Sequence, residues 1–242
     1  MRLRFAWLLL AATLSGSLAV AQSEAPSAVF RRGNEHAARS RWDDAIVEYG
    51  RLAKDGVKAP SLYWNWAQAA SASGRKGEAL WALMRGRELT PGDSGMTREV
   101  ERLRSELGLD PSEVSLGFLG DLRILARSFR FDALAIVAFL FSIIAVMGKK
   151  PRASVSLGGL LVGLLLTAPF VAGSWREPRG VVVQKDAPLM DAARNDAVAL
   201  ANLREGEVVP FLGEEGEYVR IQDASGARGF AHKNDVRRIG IE

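Results

Sequence analysis

Gly33 and Ala67 stand 34 residues apart, and so do Ala45 and Ala79. A fixed period of this length marks units that cannot bury an apolar face alone and must stack on their neighbours. The offset sets VFRRGNEHAARSRWDDAIVEYGRLAKDG beside YWNWAQAASASGRKGEALWALMRGRELTPGD. The small residues let antiparallel helices approach closely, while Trp42, Tyr49, Trp66 and Leu83 fill the space between layers. After Pro91-Gly92 the helical period resumes, with Val100, Leu103 and Leu107 at i, i+3, i+7. This predicts an amphipathic capping helix over 94–107.

The pattern resembles the tetratricopeptide repeat (TPR). In the second copy Tyr63, Trp66, Ala67, Ala70, Gly74, Ala79, Leu83, Gly86 and Pro91 fall on that repeat's signature. In the first, Val29, Gly33, Trp42, Ala45 and Tyr49 match, while Arg32 and His36 stand where large apolar residues are usual. The resemblance implies two repeats, 26–59 and 60–93, within an array over 22–110. It also implies a groove lined by the first helix of each repeat: Phe30, Asn34 and Ala37, then Trp64, Gln68 and Ser71. Such a groove takes a protein or peptide partner through main-chain hydrogen bonds and apolar contact. The plainer alternative is that Phe30 and Trp64 pack on adjacent parts of the chain.

Residues 1–21 read as a signal peptide: Arg2 and Arg4, an apolar run, then Ala19-Val20-Ala21 before Gln22. An uncleaved anchor is the alternative, and both send Gln22 outward. Two further apolar runs, 132–148 and 153–175, are joined by the four-residue loop KKPR at 149–152. The first is near the lower limit for a membrane span and the second comfortably long, so the pair predicts a transmembrane hairpin; buried core helices are the alternative. Gly159, Gly163 and Thr167 share one face and would let the two helices pack closely. In the linker 111–131, Arg123, Arg127 and Arg130 fall opposite Leu122, Leu125 and Phe129. This predicts an interfacial helix whose arginines reach lipid headgroups. Cations flank the hairpin on both sides, so the amino-terminal signal sets orientation. The expectation is a two-pass protein of the bacterial inner membrane. Its array and carboxy-terminal domain would face the periplasm or cell exterior.

Charge excludes one class. The formal net charge is +4, yet 22–110 holds 14 basic and 13 acidic residues, and 180–242 holds 8 and 11. The excess lies around the apolar runs, so nucleic acid is not an expected partner. The chain has no cysteine, which removes disulfides, thiolate metal sites and a cysteine nucleophile.

From Gly180 onward short β-rich runs alternate with turns: GVVVQ, EVVPFLG, GEYVRIQD and ARGFAHKNDV. Several short strands in this length favour a small barrel. REGEVVPFLGEEGEYVRIQDASGARGFAHKNDV resembles the bacterial SH3-like domain. Gly206 falls at its turn, Tyr218-Val219 in its central strand and Gly226 at its hairpin, with Gly229-Phe230 in place of Gly-Trp. Tyr218 and Phe230 are the candidate ligand surface of this domain, with core packing as the alternative.

His36 and His232 have no metal-ligand partner at useful spacing, and no P-loop, G-x-S-x-G or H-E-x-x-H occurs. No catalytic residue, metal ligand or cofactor is expected. The fold class expected is a multidomain membrane protein: all-α TPR hairpins, a two-helix transmembrane hairpin and a small all-β SH3-like barrel. That order of parts resembles the BatE-like proteins of the bacterial aerotolerance (Bat) system. The resemblance implies a non-enzymatic envelope scaffold or assembly factor working with a MoxR-type ATPase and von Willebrand A membrane proteins. A cell-wall sensor that binds peptidoglycan through the SH3-like domain is the alternative.

Overall fold

The structure, a computed structural model, describes residues 24–110, 131–147, 153–174 and 178–240. The expected signal peptide, the arginines 123, 127 and 130 of the expected interfacial helix, and the loop 149–152 lie outside the described residues.

Five helices come first: α1 (Pro26–Ala38), α2 (Trp42–Lys54), α3 (Pro60–Ala72), α4 (Lys76–Leu89) and α5 (Ser94–Glu106). The starts of α1 and α3, and of α2 and α4, are each 34 residues apart. Pro26 and Pro60 sit in the first turn, where a missing N–H costs nothing. Both hairpins turn through a left-handed residue, Ser40 at φ 57° and Gly74 at φ 81°, again at the same offset. Gly33 is where the first hairpin closes: a Cβ there would stand 2.7 Å from the Tyr49 ring. Asp93 caps α5 by accepting from the Gly95 and Met96 amides at 2.8 and 3.0 Å. Tyr49, Leu52, Leu62, Leu80, Leu83, Val100 and Leu103 are almost wholly buried among these helices.

Two more helices, α6 (Phe131–Met147) and α7 (Ala153–Ser174), pack side by side. A Cβ on Gly159 would meet the Ala138 carbonyl oxygen at 3.1 Å, and one on Gly163 the Phe139 ring at 2.8 Å. These glycines therefore set how closely α7 lies on α6. Thr167 turns its hydroxyl back to the Leu164 carbonyl of its own helix, 2.9 Å away. Leu134, Ile136, Val137 and Phe141 of α6, with Leu161, Leu164 and Leu165 of α7, are exposed.

The expected transmembrane hairpin is overturned at this point. Among the described residues no helix is long and apolar enough to cross a membrane. The 17 residues of α6 rise only about 25 Å, short of the ~30 Å of a hydrocarbon layer. The fold is helical hairpins followed by an antiparallel β domain, not a two-pass membrane fold. The placement in the inner membrane with both modules facing the periplasm falls with it.

Strands β1 (Arg179–Val182), β2 (Ala187–Met190), β3 (Ala199–Leu203), β4 (Val208–Glu215), β5 (Tyr218–Gln222), β6 (Arg228–His232) and β7 (Val236–Arg238) follow. They form one antiparallel sheet in the order β3-β2-β6-β5-β4-β1-β7. Its core holds Val182, Leu189, Leu203, Val209, Phe211, Val219, Ile221 and Val236.

The β domain is docked on the helices. Strand β1 is buried on both faces: Val182 points into the sheet's own core, while Val181 and the following Val183 join the helical core. The α4 backbone lies directly on this strand, because a Cβ on Gly77 would come within 2.7 Å of the Val182 carbonyl oxygen. Trp81 Nε1 donates to the Arg238 carbonyl at 2.9 Å, and Arg85 donates to the carbonyls of Ile239, at 2.8 Å, and Gly240. Gly206 inserts its turn among Leu80, Leu107 and Leu109. Arg104, fully buried, donates to the Asp110 carbonyl from Nε and Nη2 at 3.0 and 2.7 Å, and reaches the Gly206 carbonyl at 3.4 Å.

Candidate functional site

The face predicted for a ligand is carried by α1 and α3. Phe30, Ala37 and Trp64 are half-buried and packed against the helical core. The Phe30 ring centroid lies 6.1 Å from that of Tyr49. The two aromatics thus serve packing at least in part. Asn34 and Ser71 are half-buried and Gln68 is exposed, so the polar positions keep access to solvent.

Asn34 sits in a network that the repeat spacing does not show. Its Oδ1 accepts from Tyr49 Oη at 2.8 Å and from Asn65 Nδ2 at 2.9 Å. Both bonds use the same oxygen, which fixes the carboxamide and leaves its Nδ2 hydrogens without a partner among the described residues. Burial pushes the Tyr49 phenol above its ordinary value, which keeps it a neutral donor to Asn34. Asn65 was not among the expected groove residues.

The departures from the repeat signature in the first copy have a structural use. Arg32 faces α2 and grips Glu48 with two bonds of 2.7 Å, from Nε to Oε1 and from Nη2 to Oε2, while also pairing with Glu24. Hydrogen bonding to this guanidinium holds both carboxyls below the usual carboxylate range. A fork that binds two helices thus stands where an apolar contact was expected. His36 Nδ1 lies 3.6 Å from Asp44 Oδ2. Among the described residues no three His, Asp or Glu side chains converge as a metal site.

In the second hairpin the aromatics form one cluster. The Trp66 and Trp81 ring centroids are 5.0 Å apart and nearly perpendicular, and Tyr63 lies 6.1 Å from Trp81. Glu78, buried, accepts from Trp66 Nε1 at 3.1 Å and from Arg237 Nη1 at 2.8 Å. The Arg237 guanidinium lies 5.6 Å from the Trp66 ring centroid and 5.0 Å from that of Trp81. The cluster therefore belongs to the seam with the β domain rather than to the α1–α3 face.

On the β domain, Tyr218 and Phe230 are half-exposed. Tyr218 stands opposite His232 across β5 and β6, and Phe230 opposite Arg220. The Tyr218 hydroxyl bonds to Asn195, and its ring meets the His232 ring edge-on at 5.6 Å. Both aromatics alternate with the buried Val219, Ile221 and Ala231, so they lie on the outer face of the sheet.

No protein-family model matches the chain, and no curated protein sequence matches it.

Proposed function

We propose that this chain is a non-enzymatic protein-binding scaffold: a TPR-type array that holds an extended peptide along α1 and α3, braced by an SH3-like domain. The observation that carries this is the pair Asn34 and Gln68, one per hairpin and 34 residues apart. Asn34 is oriented by Tyr49 and Asn65 so that its N–H groups are available. Carboxamides at a helical spacing match the donor and acceptor needs of an extended main chain. The docked β domain supports the reading, because a scaffold already rigid loses less entropy on binding.

The test is selection of peptides from a random library by the full chain, compared with Asn34→Ala and Gln68→Ala. Enrichment by the parent and about tenfold weaker binding by each variant is expected, each losing hydrogen bonds to the ligand. Equal enrichment by all three overturns the groove. The Bat-type resemblance assigns the partner to a complex with a MoxR-type ATPase and von Willebrand A proteins. Their failure to co-purify with the tagged chain from its own host would count against that assignment.

The half-open Tyr218 and Phe230 favour a second reading, in which the β domain binds peptidoglycan. Sedimentation of the full chain with purified cell wall, lost in Tyr218→Ala, would support it. The full chain is needed because an isolated 180–242 segment would uncover Val181 and Val183.

A further inference from the structure

Where the turn between α3 and α4 meets the β domain there is a cleft of about 310 Å³, lined among others by Arg75, Glu78, Lys185, Glu205, Asn234 and Arg237. Its volume is at the lower end of small-ligand sites, which favour the junctions between domains. The two carboxylates are already engaged. Glu78 accepts from Trp66 and Arg237, and Glu205 Oε1 accepts from the Gly77 amide at 2.6 Å. That second bond closes one of the open N–H groups at the start of α4, which has no cap of its own.

Of the three lining cations Arg237 is held by Glu78, and the other two are engaged less fully. Arg75 pairs outward with Asp43 at 2.7 Å, stands 3.6 Å from Glu78, and keeps a side chain 48% exposed. Lys185 has no hydrogen bond or ion pair among the described residues. Asn234 is exposed and adds an amide donor. Lys185, Arg75 and Asn234 thus leave donor capacity in the cleft, whose three cations outnumber its two carboxylates.

We infer that this cleft binds an oxyanion, the carboxylate or phosphate group of a small ligand, held by Lys185 and Arg75 across the seam between α4 and the β domain. Lys185 comes from the β domain and Arg75 from the helices, so the bound anion ties the two parts together. Binding raises the stability of the docked chain. Glu205 is the opposing element: it fills the helix terminus but repels the ligand. The two residues therefore respond to substitution in opposite directions.

The experiment titrates the full chain with inorganic phosphate and, separately, with succinate, at an ionic strength held constant with sodium chloride. Calorimetry and thermal melting are both read. Lys185→Ala is expected to weaken binding about tenfold, the scale of a charge-assisted hydrogen bond. Lys185 is exposed and outside both cores, so its loss does not unfold the chain. Glu205→Gln keeps an acceptor for the Gly77 amide and is expected to tighten binding several-fold. Which anion binds identifies the ligand group as phosphate or carboxylate. The inference is overturned if neither anion binds, if Lys185→Ala binds as tightly as the parent, or if Glu205→Gln does not tighten binding.

Discussion

Gly77→Ala tests the docking of the two parts directly, because elementary helix chemistry and the observed packing predict opposite signs. Gly77 lies in the first turn of α4, and alanine is favoured over glycine in a helix by about 1 kcal/mol. Propensity alone predicts a gain. Packing predicts a loss: the new Cβ would stand 2.7 Å from the Val182 carbonyl oxygen and 2.9 Å from the Val183 Cα. Both are backbone atoms, of the last residue of β1 and of the buried residue that follows it, so neither can swing aside as a side chain would. Overpacking of this kind costs about 1–3 kcal/mol. Opening the seam would also stretch the bonds from Gly77 to Glu205 and from Trp81 to Arg238, each worth about 1 kcal/mol. The net expectation is a loss of about 1–3 kcal/mol, or roughly 3–10 °C in melting temperature for a chain of this size. Gly50→Ala is the control. It lies inside α2, and its new Cβ would find only the Trp66 ring at an ordinary 3.5 Å. It should gain up to about 1 kcal/mol. Thermal and urea melts of both variants, with hydrogen exchange of the Trp81 indole N–H, decide the matter. If Gly77→Ala stabilises as Gly50→Ala does, and the indole stays protected, the α4–β1 seam is not as described.

Arg237→Ala leaves Glu78 buried with Trp66 and the more distant Arg75 as partners. It should cost about 2–3 kcal/mol in a denaturant melt, below the full price of a broken buried pair because Arg237 is partly exposed; Glu78→Gln on top of it should restore part of the loss. Tyr49→Phe removes the hydroxyl that Asn34 accepts from, at a cost of about 1 kcal/mol, and should weaken peptide capture without changing the helix content seen by circular dichroism. The lowered Glu24 and Glu48 carboxyls set a pH dependence. Depressed folded-state values mean their stabilisation is present above the ordinary value of 4.5 and is lost as pH falls through the lower folded ones. Melting temperature should therefore drop in that acid range, and Arg32→Met should flatten the drop; an unchanged slope would remove Arg32 as the cause.

The helical spacing and the β character were open to sequence reasoning because both are local. Gly33, Ala45, Ala67 and Ala79 report a period directly, and turn residues mark the short strands after Gly180. The apolar runs 132–148 and 153–175 were legible as helix-forming stretches. What they pack against, and whether they cross a membrane, depends on length and surroundings that apolar composition does not contain. The Asn34–Asn65 contact was hidden for a different reason. Its 31-residue separation falls outside the 34-residue register, so the repeat pattern could not suggest it.

The docking of the β domain was the largest omission, and one sequence signal did point to it. Val181, Val182 and Val183 are three consecutive apolar residues, and all three are buried. In a small antiparallel sheet with one face open, every second residue should be polar. Burial of all three in a row takes a second covered face, and the helices supply it by covering Val181 and Val183. The same logic reinterprets Trp81 and Arg237. As members of separate domains they look like an ordinary core aromatic and a solvated charge; across the seam the guanidinium covers the indole and pairs with Glu78. The two modules are thus joined through a strand that belongs to both cores, and a ligand acting on either one acts on a body that includes the other.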